Sequence, residues 1–180
     1  LVSPETRLAV LQDGVEHVER FAPYLDPARI TPLVVDIPAE RAAPGPIHHP
    51  RNGTIVVPAG PDGDAFAALF AESPIEASTT DDFLSVAWTK LALNCAGAVC
   101  ALTSRPAGVV EAPGMAEVMR GMVRECVRVG RAEGAILGDD LPDHVVDRTR
   151  ASPPDSINSL LGDRLAGRPM EWDARNGVIV

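Results

Sequence analysis

Two polar side chains interrupt the most apolar stretch of the chain. In WTKLALNCAGAVCALT, residues 88–103, Lys90 and Asn94 stand four residues apart. At the helical advance of about 100° per residue they share one face, and Gly97 and Ala98 continue it. The stripe offers a cation, an amide, and two residues with almost no side chain. A buried lysine needs a partner or a ligand, and small neighbours leave space for one. The plain alternative is a helix edge where Lys90 extends to water and Asn94 bonds a neighbouring loop. Spacing alone leaves both readings open.

Other chemistry-bearing residues suggest less. His48 and His49 are adjacent, but no carboxylate or cysteine stands near them at ligand spacing. They read as loop residues, and no metal is expected. His17 and His144 read as surface residues. Cys95, Cys100 and Cys126 form neither a CxxC pair nor an even set. They read as buried thiols of a reducing, cytoplasmic compartment.

The chain has 180 residues, 46% hydrophobic, with a formal net charge of -9. Lysines and arginines form no long run, which argues against nucleic acid or an anionic membrane as partner. A small acidic ligand remains compatible, because one local cation suffices to bind it. Residues 83–102 are apolar enough to suggest a membrane span, but Lys90 near the centre would be costly in lipid, so a buried helix is expected. The start, LVSPETRLAVLQ, lacks the basic and apolar regions of a signal peptide. A first residue other than Met, and an end in Val178-Ile179-Val180, read as cut ends.

The elements that must position the stripe follow from hydrophobic periodicity. Leu8 to Leu11 reads as a strand, followed by a turn at Asp13-Gly14. Val15, Val18, Phe21 and Leu25 have helical spacing, and ITPLVVDI reads as one further strand. After a Pro-, Gly- and His-rich stretch with a turn signal at Asn52-Gly53, TIVVPAG reads as a strand and DAFAALFAE as a short helix. From residue 79 the pattern is helical. Thr79 and Asp82 form a start signal for a helix ending near Thr103. A second helix is expected from Pro113 to Glu133, with Met115, Val118, Met122, Val123 and Cys126 on its inner face. A third spans Pro142 to Arg150. A fourth runs from about Asp155 to Ala166 and is ended by Gly167. The expected fold is the C-terminal part of an α/β Rossmann-type domain over residues 1–79, followed by an all-α domain over 80–180.

At this point the motifs meet a known pattern. VLQDGV, WTKLALN and SINSLLGDRLAGRPMEWDARNG resemble, in order, the motifs of the ketopantoate reductase family: LQNGV, then W-x-K-L-x-x-N-x-x-x-N, then an S-S-M-x-x-D helix and G-R-x-T-E-I-D-x-x-N-G. PGPIHHPRNGTIVV is similar to the segment between the first two. The resemblance implies an NADPH-dependent reduction of 2-dehydropantoate to pantoate, in pantothenate and coenzyme A biosynthesis. It implies Lys90 as the proton donor and Asn94 as a substrate ligand. Ser159 is implied to hold the substrate carboxylate, with Ser156 as a further substrate contact. Glu171 is implied to contact the cofactor and steer the lysine, and Asp13 to lie beside the nicotinamide. The chemistry suits these groups. Hydride addition to a ketone puts negative charge on oxygen, and a cation that can also give a proton stabilises it. A short polar side chain near a helix start suits a carboxylate.

Three departures stand out. Ala98 replaces a second substrate asparagine, Asp13 replaces an asparagine, and no G-x-G-x-x-G occurs in the sequence. The first two leave the particular 2-oxo acid open, so a related reductase of another 2-oxo acid is the first rival. The third favours a fragment, expected to bind NADPH poorly and to be inactive alone; an inactive helical interaction module is the second rival. The implied partners are a small 2-oxo acid and, as an open alternative, a second copy of the chain in a homodimer.

Overall fold

A computed structural model of the chain describes residues 3–41, 43–49 and 52–180. By packing, the chain divides into residues 1–86 and 87–180; the first unit is α/β and the second all-α.

The first unit opens with strand β1 (Leu8–Val10), helix α1 (His17–Phe21) and strand β2 (Ile30–Pro32), which pairs in parallel with β1, Leu8 opposite Ile30. ITPLVVDI is not one strand. Pro32 has no N–H to continue a ladder, and Leu33 instead donates to Val10 O at 3.0 Å. The chain then changes partner: β3 (Val34–Asp36) runs antiparallel to a later strand. His17 is buried, against the surface position expected, and its Nε2 donates to Gln12 O at 2.9 Å. Burial holds its pKa below the ordinary value, opposed by the bond to Gln12. A two-residue ladder, β4 (Glu40–Arg41) with β5 (Ile47–His48), follows where a loop was expected. Pro50 and Arg51, inside the segment that resembles the family, lie outside the described residues.

Strand β6 (Thr54–Pro58) is central. It pairs antiparallel with β3 and parallel with β7 (Glu76–Thr80), with helix α2 (Pro61–Ala68) crossing between β6 and β7. Its alternation turns Ile55 and Val57 into a core with Leu33, against which Val35, Phe66, Phe70 and Ala77 pack. β7 replaces the helical lead expected near residue 79. Its sequence, EASTT, has little apolar alternation, but as an outer strand it is held by backbone pairing to β6. Asp82 is the effective start signal of the next helix, its Oδ1 accepting from the Ser85 amide at 3.1 Å.

That helix, α3 (Phe83–Thr103), is the centre of the second unit; Leu91, Ala92, Cys95, Ala96 and Val99 are all but inaccessible. By length and composition it could cross a membrane, but 56% of its most apolar window is buried inside the protein. After a 3₁₀ turn at Ala107–Glu111 come α4 (Met115–Ala132) and α5 (Leu141–Ala151). The inner face of α4 is Met119, Val123, Cys126, Val127 and Gly130, whereas Val118, expected inside, is 47% exposed. A Cβ at Gly130 would come within 2.9 Å of Trp88, so glycine permits α3 and α4 to touch there. The next helix, α6 (Ser159–Leu165), begins four residues later than expected. The amides of Gly108 and Ala107 take the carbonyls of Pro154 (2.8 Å) and Ser156 (3.0 Å), keeping that segment out of the helix. A last short helix, α7 (Trp172–Arg175), was not anticipated.

Candidate active site

Lys90 and Asn94 lie half-buried on one face of α3, a turn apart, as their spacing predicts. Beyond them the stripe differs from expectation. Asn158, the N-cap residue of α6, spans two elements: its Oδ1 accepts from the Leu161 amide at 2.9 Å, and its Nδ2 donates to Gly97 O at 2.9 Å. A Cβ at position 97 would stand 3.0 Å from that Nδ2. Gly97 is therefore a notch for Asn158 rather than ligand space. Ala98 is buried with Ala101 and Leu160, and Met122 and Met170 pack against them. The pocket volume expected beside it is filled by protein.

A second asparagine makes a similar reach. Asn176 Nδ2 donates to Cys95 O at 3.2 Å, and its Oδ1 is buried with no hydrogen-bond partner among the described residues. Asn158 and Asn176 thus pin the segments before α6 and after α7 to the turn of α3 that follows Asn94. Each asparagine brings a neighbour with it: Ser159 in one case, Arg175 in the other.

Those two neighbours meet. Arg175 is only 4% exposed. Its Nη2 donates to Ser159 Oγ at 3.0 Å and lies 3.6 Å from Glu171 Oε2. One buried guanidinium therefore links the expected carboxylate ligand, Ser159, to the expected cofactor contact, Glu171, both of which are exposed. A buried cation is retained where hydrogen bonds and an opposite charge offset its desolvation, and Ser159 and Glu171 supply part of that offset. Ser156 is half-buried in the loop before α6, its main chain committed to Pro153 and Ala107. Asp13 belongs to the first unit, half-buried in the turn after β1.

The three thiols are free and buried. The Cys95 thiol is pushed well above the ordinary value, first by its hydrogen bond with Cys126 and then by burial; burial also raises Cys100.

Sequence reasoning missed Asn158, Arg175 and the tertiary role of Asn176. An asparagine before SLLGDRL is a legible cap signal. Nothing local marks Arg175 as inward-facing, since its partner Ser159 is sixteen residues away.

Comparison with known proteins agrees with the motifs. The profile described as ketopantoate reductase PanE/ApbA, C terminal, matches residues 82–180, and that described as ketopantoate reductase PanE/ApbA matches residues 1–62. Over all 180 residues the chain is 61% identical to a 2-dehydropantoate 2-reductase of Caulobacter vibrioides, covering 62% of it. It is 39% identical to one of Mycobacterium tuberculosis, covering 61%. The crystal structure of a PanE/ApbA family ketopantoate reductase from Ralstonia eutropha JMP134 matches with a TM-score of 0.88 at 32% identity, covering 99% of this chain and 60% of that one. The chain spans about three fifths of the length of the curated relatives it matches. On the profile that takes in more than half of its residues, and on the Lys90–Asn94 and SINSLLGDRLAGRPMEWDARNG segments now set in one all-α unit, this chain belongs to the ketopantoate reductase PanE/ApbA family.

Proposed function

We propose that the whole protein is a cytoplasmic NADPH-dependent 2-dehydropantoate 2-reductase, and that residues 87–180 carry its substrate-facing groups. The observation that carries this reading is the Asn158 bridge. It ties the residue before Ser159 to Gly97 O, on the turn of α3 that follows Asn94, which supports a reading in which Lys90, Asn94 and Ser159 serve one site.

In this reading Lys90 stabilises the developing alkoxide and gives it a proton. Asn94 holds the substrate by its amide. Ser159 donates to the substrate carboxylate, with Ser156 beside it, and Glu171 orients the lysine. The 180 residues contain no G-x-G-x-x-G turn, so they do not themselves fit the cofactor's pyrophosphate. The residues assigned to the cofactor in this reading are Asp13 and Glu171. When bound, NADPH supplies the hydride. Partners in this reading are a small 2-oxo acid and, as an assembly for light scattering to test, a second copy of the chain.

One observation favours a second reading, a reductase of a more apolar 2-oxo acid. The family's second substrate asparagine is replaced by Ala98, which is packed against Leu160 and Met122 and offers a substrate no amide. NADPH oxidation by the whole protein, with 2-dehydropantoate and with a branched apolar 2-oxo acid, separates the two. A higher kcat/KM on 2-dehydropantoate supports the first reading and a higher value on the apolar acid supports the second. Turnover of neither refutes both.

A further inference from the structure

We propose that Arg175 is a positioning residue for substrate: it commits the Ser159 hydroxyl to donating, and thereby makes that end of the site selective for an anion. The proposal rests on the reading above, in which Ser159 faces the carboxylate of a 2-oxo acid.

A serine hydroxyl can accept and can donate its single hydrogen, whereas a guanidinium can only donate. Arg175 Nη2 donates to Ser159 Oγ at 3.0 Å. That bond occupies a lone pair, and the Ser159 hydrogen must then point elsewhere. No other side-chain hydrogen bond of Ser159 exists among the described residues, and Ser159 is exposed. The result is an outward O–H polarised by a buried cation. A charged donor makes a stronger hydrogen bond than a neutral one, which favours this orientation of the hydroxyl. Such a hydroxyl favours an acceptor-only group, which a carboxylate is.

Glu171 completes the device. Its Oε2 lies 3.6 Å from the same Nη2. The arginine thus offsets a carboxylate that would otherwise repel an anion held at Ser159. The planar guanidinium holds this one nitrogen, Nη2, in a fixed position toward both partners. Arg175 is anchored for this by its neighbour Asn176, which bonds Cys95 O on α3. The residue touches neither substrate nor cofactor in this account; it acts through Ser159.

The test is a double-mutant cycle on the whole protein: wild type, Arg175→Gln, Ser159→Ala and the double variant, with KM for 2-dehydropantoate, kcat and the urea midpoint measured for each. Arg175→Gln and Ser159→Ala are each expected to raise KM by about tenfold with a smaller change in kcat, the scale of losing one hydrogen bond to a charged group. In the Ser159→Ala background, Arg175→Gln is expected to change KM by less than about twofold, because its effect passes through the missing hydroxyl. Multiplying effects would overturn the proposal, since they mean a separate structural role. So would an unchanged KM in Arg175→Gln beside a raised KM in Ser159→Ala. An unchanged KM in Ser159→Ala refutes the reading of Ser159 itself, whatever Arg175 does. If Arg175→Gln does not fold, Arg175→Met is the deciding variant: it keeps the bulk but has no donor, so a KM equal to wild type would overturn the proposal, whereas a rise toward that of Ser159→Ala supports it.

Discussion

Asn158 joins α6 to α3, and its two bonds can be separated. Asn158→Ala removes the cap on the Leu161 amide and the donation to Gly97 O, each at 2.9 Å. A lost N-cap costs about 1 kcal/mol and a lost partly buried hydrogen bond about 1 kcal/mol more, so the variant should lose roughly 2 kcal/mol. Asn158→Ser keeps a capping oxygen but is too short to reach α3, and should lose only about half as much. The third arm is Gly97→Ala. Alanine gains about 1 kcal/mol over glycine in a helix interior, but here its Cβ would stand 3.0 Å from Asn158 Nδ2. In the wild type the gain should be cancelled as Asn158 is pushed aside; in the Asn158→Ala background it should appear in full. Urea unfolding of the whole protein measures all four variants. A loss below about 0.5 kcal/mol in Asn158→Ala, or an equal gain from Gly97→Ala in both backgrounds, would refute the bridge.

Further outcomes follow from the same structure. Ala98→Asn, which sequence alone suggests would restore a substrate contact, should instead lose about 1–3 kcal/mol, the usual cost of an amide buried without a partner, and should not raise kcat/KM; a gain on 2-dehydropantoate would show that the cluster with Leu160 opens. His17 is held below its ordinary value of 6.5 by burial, so the unfolded state binds more protons than the native state just below that pH. Its contribution is whole above pH 6.5 and is lost as pH falls from there toward the lowered native value. The thermal midpoint should decline over that window, and His17→Gln should lose that component of the decline; an identical profile would show that His17 does not carry it. Cys95, Cys100 and Cys126 are buried, with Cys95 and Cys100 held protonated, so a thiol-specific chromogenic disulfide should react with none of them until denaturant is added; reaction in the native state contradicts this.

Much of the site's frame can be read from the chain because it is periodic. The helical face that pairs Lys90 with Asn94 needs only the 3.6-residue repeat, and α3 ends at Thr103 before Pro106 as expected. What could not be read depends on partners distant in sequence. The polar strand Glu76–Thr80 exists because β6 offers its backbone, not because EASTT announces a strand. The late start of α6 reflects Gly108 and Ala107 drawing on the carbonyls of Pro154 and Ser156. Gly97 and Ala98 show a more general ambiguity: small residues signal close packing as readily as ligand space, and only the positions of Asn158 and Leu160 decide between them. Arg175 belongs to the same class, since an arginine beside Asp173 and Asn176 reads as surface until Ser159 is placed against it.

Replacement of Lys90 tests the central claim most directly. The lysine is assigned to charge that appears mainly in the transition state, so Lys90→Ala should lower kcat far more than it weakens substrate or cofactor binding. General acid catalysis is typically worth about 10²–10⁴-fold, and that is the expected fall in kcat for reduction of 2-dehydropantoate by the whole protein, with the NADPH dissociation constant changed by no more than about threefold. A variant that turns over near the wild-type rate would make Lys90 a structural residue of α3 and contradict the account.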